Sequence, residues 1–422
     1  MMRSHYLRLK SSEFLRNFLT LMTGTGIAAL FPVLCTPLIT RLYTPEQFGI
    51  FALFLTFVSV LSSISCLRYE IAIVLPRHNY QAVQLVVLSF LLACGSAIVL
   101  EIFFLIFAED IARALEKDIA AYLYFVPLAV FFNGLYGLMN YYSNRHKRYK
   151  DLSMSKILNS SSSTLTKIGL GYAQFGIWGL VIGQIVGSVV GAFNIWRLSL
   201  VSIFLHKKSI SWEALKRKFI FYKNYPIYNM PAVLMNTLST NSGVFLFGIY
   251  FDAKDVGLIA LASNVLLLPI SIIATSYSQI FYQKICLMTT QEQLRQAYKN
   301  SFYMLLVIGS IFCAGAFVLP EKIIIQILGS SWEGVGFYIK YTSIFVFFQF
   351  ISSPLSTLIP RCDKNDLFLV YQIANFLLVS ASIIIPSLYH LDIKFVFLTY
   401  VAVKSLMYFA YVYLCRFVIS YV

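Results

Sequence analysis

Nine charged residues fall inside or at the edges of long apolar stretches, and seven of them are basic: Arg16, Arg41, Arg68, Lys156, Lys167, Lys340 and Lys404, against Glu70 and Glu101. A charge at the centre of a bilayer costs about 2.5–3.5 kcal/mol on insertion scales, so such side chains should face protein or water rather than lipid. Lys167 and Lys404 lie deepest, beyond the reach of snorkelling. Lys156 and Lys340 lie near the ends of their stretches, where snorkelling accounts for them. Arg16 and Arg41 bracket the first stretch, at interfacial positions. A site lined by Lys and Arg suits an anion, above all a phosphate or pyrophosphate. Depth makes Lys167 and Lys404 candidates for contact with such a cargo. Glu101 is expected to pair with a lysine, to titrate as a coupling carboxylate, or to reach the interface. Arg68 and Glu70 flank Tyr69 and either pair with each other or leave Arg68 to face a cavity.

Other chemistry is poorly represented. The five histidines sit in loops without an HExxH pattern, and the seven cysteines show no close pairing, so neither a metal site nor a disulfide frame is expected. No catalytic residue stands out, and no loop exceeds about 30 residues, too short for a soluble catalytic domain.

The elements that must position these charges are membrane spans. The chain is 59% hydrophobic and 12% charged, whereas a soluble domain is about 25% charged. A helix needs roughly 20 apolar residues to cross the hydrocarbon core. The expected spans are 17–40, 48–67, 81–107, 119–142, 153–173, 177–197, 225–250, 255–281, 300–328, 335–359, 366–388 and 393–416, giving an all-α protein of twelve transmembrane helices. The N-terminal stretch has no small-residue cleavage site and reads as a retained span. Of the 33 Lys and Arg residues, 24 fall on the side of the N-terminus and six opposite. That bias places both termini in the cytoplasm. The net charge of +15 is thereby a topology signal and a contact with membrane lipids, and argues against nucleic acid.

The longest hydrophilic break divides six spans from six, which predicts an N-terminal lobe over 1–205, a basic linker over 206–224 and a C-terminal lobe over 225–422. Internal similarity supports a duplication. YTPEQFGIFAL from Tyr43 aligns with YFDAKDVGLIAL from Tyr250, pairing Gly49 with Gly257, and Arg145 echoes Arg361. Span six carries Gly179, Gly183, Gly187 and Gly191 on one face, a pattern for close helix packing or, alternatively, for substrate passage along that face. Span five, polar from Asn159 to Lys167, either lines an aqueous cavity or packs through its hydroxyls. Span seven carries Pro226, Pro231, Asn236 and Asn241. Prolines permit bending where a helix lines a cavity, which makes these four residues a candidate gate.

Three stretches carry a family likeness: Thr36 to Leu85, with the TPEQFG turn and the LRYE segment; Lys223 to Asn241; and ATSYSQIFYQK from Ala274 to Lys284. Through these the chain resembles the polysaccharide-export branch of the multidrug/oligosaccharidyl-lipid/polysaccharide (MOP) exporter superfamily, most closely the Wzx-type repeat-unit flippases of O-antigen and lipopolysaccharide biosynthesis. The resemblance implies two six-helix, MATE-like lobes around a central cavity lined by spans one, two, seven and eight. It implies translocation of an undecaprenyl-pyrophosphate-linked oligosaccharide between leaflets of a bacterial inner membrane by alternating access. It calls for no cofactor beyond coupling to protons or sodium ions, and adds polymerase and chain-length proteins of the same pathway as partners. By motif match it brings Arg41, Arg68 and Glu70 into the site. The competing readings are a multidrug or cation antiporter of the same fold and a lipid II flippase; a polymerase or ligase would need a large catalytic loop, which the chain does not have.

Overall fold

A computed structural model describes residues 23–205, 210–362 and 364–421. Arg16, the start of the first expected span (17–22) and residues 206–209 of the expected linker lie outside the described residues. Among the described residues every regular element is helical.

The long helices are α1 Thr23–Leu42, α2 Pro45–Ser62, α3 Asn79–Ala114, α4 Val126–Arg145, α5 Tyr149–Tyr172 and α6 Ile177–Leu205. A shorter amphipathic helix, α7 Trp212–Phe221, precedes α8 Met230–Tyr250, α9 Ala253–Cys286 and α10 Gln291–Val318. Then follow the short α11 Glu321–Leu328, α12 Val335–Leu355, α13 Asn365–Leu388 and α14 Ile393–Val418. Eleven helices among the described residues are long and apolar enough to cross a membrane. The remaining long helix, α5, has the length, 24 residues, but its serine run keeps it out of that set. Helix α3 runs to 36 residues and α9 to 34. At about 1.5 Å per residue both exceed the hydrocarbon thickness, so they tilt or project past it. On α3, Ile98, Val99, Ile102, Leu105 and Ile106 stay exposed, as a lipid-facing stripe requires.

The helices fall into two compact units: Met1–Cys35 with Phe54–Thr237, and Thr36–Leu53 with Leu238–Val422. Each division falls within a helix (α1, α2 or α8) rather than in a loop.

In the first unit the core gathers around a 3₁₀ turn, Tyr69–Val74, whose Tyr69, Ala72 and Ile73 are fully buried against Ala82, Val83 and Leu85 of α3 and Leu138 and Tyr142 of α4. Arg145 closes this end by donating to the carbonyls of Ile73 (3.2 Å) and Val74 (3.3 Å). Helices α5 and α6 pack backbone to backbone. A Cβ on Gly183 would meet Lys167 Cγ at 2.5 Å, on Gly187 Ser163 Cβ at 2.7 Å, and on Gly191 Asn159 Cβ at 2.9 Å. The glycine face of α6 therefore seats the polar face of α5.

In the second unit the largest buried side chains are Trp332, Tyr43, Phe247, Phe345, Phe350 and Phe397. Trp332 Nε1 donates to Thr40 O at 2.7 Å, tying the end of α1 to the turn before α12. Arg361 donates to the carbonyls of Ile285 (3.1 Å) and Met288 (2.7 Å), the counterpart in this unit of Arg145 in the other.

Candidate functional site

Arg68 and Glu70 are brought together. After α2 the chain turns through Leu67 (φ 49°) and Arg68 (φ 66°), two consecutive left-handed residues. A side chain in that region costs on the order of 1–2 kcal/mol. It persists here because the guanidinium of Arg68 is held twice: Nη1 lies 3.2 Å from Glu70 Oε1, and Nε donates to Asn229 Oδ1 at 3.1 Å. Glu70 is buried, and burial pushes its carboxyl above the usual range while the Arg68 guanidinium pulls it back. Tyr69 OH donates to Phe219 O at 2.8 Å and its ring stacks on Phe219, fixing α7 to the same turn.

Asn229 closes a π-helical turn, Tyr225–Asn229, with Pro226 near its start. A proline lacks the N–H of the regular ladder, and π turns recur where helices bend at functional sites. Pro231 opens the following α-helical stretch, and Asn236 and Asn241 lie farther along α8. The four expected gate residues thus share one continuous helical segment, and its π turn is bonded to Arg68. Asn229, which is not among the four expected gate residues, makes this link.

Lys167 and Lys156 belong to the polar face of α5. Lys167 Nζ donates to Gln184 Oε1 of α6 at 3.2 Å. Lys156 Nζ donates to Thr25 Oγ1 in the first turn of α1 at 3.0 Å. Ser155 donates to Gly191 O at 2.6 Å, and Ser160 donates to Ala28 O. Within the serine run Ser160 thus reaches α1, whereas Ser161 and Ser162 donate back to Ile157 O and Leu158 O of α5 itself. Glu101 is half-buried on α3.

In the second unit Arg41 is exposed at the end of α1, where Nη2 donates to Gln326 O at 2.9 Å, near the C-terminus of α11. A cation there offsets the negative end of the helix dipole. Lys404 is half-buried on α14. Its ammonium lies 2.5 Å from Tyr400 OH and 4.5 Å and 4.9 Å from the ring centroids of Phe345 and Tyr400. Such cation–π contacts are worth about 0.5–2 kcal/mol. Among the described residues neither Lys156 nor Lys404 forms a salt bridge, and no group of three His, Cys, Asp or Glu side chains could hold a metal ion. Tyr400 precedes Lys404 by four residues, a spacing that puts both on one helix face; the contact with Phe345 of α12 has no such signal.

Comparison with known proteins gives a consistent picture. A family model described as "Polysaccharide biosynthesis protein" matches residues 38–336. The succinoglycan biosynthesis transport protein ExoT of Rhizobium meliloti (strain 1021) is 22% identical over 347 residues, covering 81% of this chain and 67% of the relative. Among solved structures, the inward-facing conformation of a multidrug resistance MATE family transporter of the MOP superfamily superposes with a TM-score of 0.67 at 16% identity, covering 96% of this chain and 94% of that one. A MOP superfamily transporter from Pyrococcus furiosus Vc1 (DSM3638) gives 0.59 at 15% identity, with 96% and 95% covered. The fold is MATE-like.

Proposed function

We propose a lipid-linked cargo for this chain, which belongs to the polysaccharide biosynthesis protein family. It is a multi-pass membrane transporter for polysaccharide assembly. In our reading it moves undecaprenyl-pyrophosphate-linked oligosaccharide repeat units from the cytoplasmic to the periplasmic leaflet of a bacterial inner membrane, by alternating access, for O-antigen or a related surface polysaccharide. In the same reading α5 is a twelfth span, the two lobes are 1–205 and 225–422, and both termini are cytoplasmic.

One observation carries this reading: lysines within the membrane region are held by neutral groups. Lys156 reaches Thr25 and Lys404 reaches Tyr400. A lysine whose hydrogen bonds end on a hydroxyl or an amide keeps most of its charge available to an anion, and a pyrophosphate is the anion this family's cargo would bring. A multidrug cation antiporter would call for carboxylates at these positions. The Pyrococcus furiosus transporter, whose binding pocket of reverse polarity suggests a different function for it, illustrates how one fold can serve cargo of another charge. The Arg68–Asn229 bond supports the π turn of span seven as the gate, and Glu70 as the carboxylate that couples it to a proton or sodium ion.

The test is complementation of a strain lacking its repeat-unit flippase, with surface glycan read by gel and the leaflet of the cargo lipid read by labelling. Restored glycan with cargo moved outward supports the reading. Failure with several donor glycans, together with new resistance to cationic drugs, would replace it with the antiporter.

A further inference from the structure

A cleft of about 290 Å³ lies in the first unit between α7 and the first turns of α3. Its walls include Tyr80, Gln81 and Gln84 on one side and Arg217, Lys218 and Phe221 on the other. The α7 residues recur at helical spacing and form one stripe; Tyr80 and Gln81 of α3 sit in its first turn, where backbone N–H groups and the dipole favour negative charge. No acidic side chain lines the cleft. Among the described residues neither Arg217 nor Lys218 forms a salt bridge. Two cations, two amides and a phenol converge on a space just below the roughly 300–1,000 Å³ usual for drug-sized ligands. That volume fits a phosphate-bearing headgroup.

The surroundings indicate which phosphate. Helix α7 leaves Trp212, Phe219, Ile220 and Phe221 exposed beside Lys216 and Arg217. Apolar and aromatic residues next to basic ones on a short helix mark an element lying in the plane of a membrane interface. Ser211 caps its start by accepting from Ala214 N at 3.2 Å, and Tyr69 pins it from beneath, so the cleft is preformed. We propose that this cleft is a binding site for the phosphate headgroup of an anionic phospholipid, with Arg217 and Lys218 as its anion ligands and Phe221 beside the glycerol and acyl region. The site goes beyond the transport reading and holds whatever the cargo is.

The full-length protein, in detergent, would be incubated with equal amounts of phosphatidylglycerol and phosphatidylcholine of distinguishable mass, and bound lipid read by native mass spectrometry. The wild type should retain phosphatidylglycerol in preference, on the order of tenfold, given the contribution of each basic side chain near anionic lipid. The double variant R217Q/K218Q should lose most of that preference, and K216Q, outside the cleft, should keep it. Melting curves of all three verify that the fold is intact, and Q81A, which leaves the cations in place, gives a second test by weakening retention. Equal retention of both lipids by the wild type, or undiminished preference in R217Q/K218Q, overturns the proposal. Displacement of the lipid by millimolar glycerol 3-phosphate would overturn its lipid source and leave a soluble phosphate ester as the ligand.

Discussion

Gly49 and Gly257 stand in the same relation to each other in both directions. A Cβ on Gly49 would fall 1.8 Å from the carbonyl oxygen of Ala253, and one on Gly257 would fall 1.8 Å from that of Pro45. Pro45 opens α2 and Ala253 opens α9. Both pairs are separated by the same 208 positions. Equivalent points of the two halves therefore meet with their backbones in contact, as two copies of one helix start do when they cross about a local two-fold axis.

That contact predicts a sign. An alanine in a helix is ordinarily better than a glycine by roughly 0.5–1 kcal/mol. Gly49→Ala and Gly257→Ala should instead destabilise, by about 3 kcal/mol or more, because the obstructing atoms are backbone and cannot rotate away. Gly137→Ala, with nothing within 4 Å of the added methyl, should be neutral or slightly stabilising. Thermal unfolding of the three purified variants in one detergent checks this; a Tm for Gly49→Ala equal to that of Gly137→Ala would refute the close approach.

Arg145 and Arg361 perform one task in the two units, each closing the segment that follows the second span of its half through two backbone carbonyls. Replacing either by Gln should cost about 1–3 kcal/mol, the penalty of leaving carbonyls without their charged donor. Hydrogen exchange should localise the loosening to 69–75 in Arg145→Gln and to 284–289 in Arg361→Gln. Protection lost evenly over the whole chain in either variant would contradict this.

The duplication was legible because glycines and arginines at helix ends carry their reasons in their own residue types. The helical architecture was legible because apolar length is a one-dimensional property. Span five was legible only as an alternative: its serines read equally as cavity lining or packing, and the choice lay in Gly183, Gly187 and Gly191 of the next helix, which the sequence cannot align against Asn159, Ser163 and Lys167. The geometry of Arg68 was hidden for a different reason. A left-handed arginine has no compositional mark, since the strain is offset by Glu70 and by Asn229, 161 residues away. Lys404 was found by its depth, but Phe345 beneath its ammonium comes from another helix.

Glu70 should make stability depend on pH in a direction opposite to an ordinary salt-bridged carboxylate. Burial raises its pKa above the usual 4.5 despite the Arg68 guanidinium, so the folded protein holds this proton more tightly than the unfolded chain. The stabilisation is complete below about 4.5, the unfolded value, and is lost as pH rises through the higher folded value. Relative to Glu70→Gln, the wild type should gain stability as pH is lowered from 7 towards 4.5. Parallel Tm curves for the two proteins over that window would show that the carboxyl titrates normally. If Glu70 is also the coupling carboxylate, Glu70→Gln should reduce transport driven by a pH gradient more than its change in Tm accounts for.

Lys404 separates a functional charge from a structural one. Its ammonium is held by Tyr400 and Phe345 with no ion partner among the described residues. A half-buried cation without a carboxylate is a poor source of stability, and exchange for an apolar chain of similar length is often neutral or favourable. Lys404→Met should therefore leave Tm unchanged or raised. If the charge meets a pyrophosphate, the same variant should export surface glycan at least tenfold less well at equal protein level. Lys167→Met, which removes the ammonium that donates to Gln184, should lower export likewise. Transport and Tm falling together in both variants would assign these lysines to packing; unchanged export in both, at normal Tm, would place the anion-binding groups elsewhere in the chain.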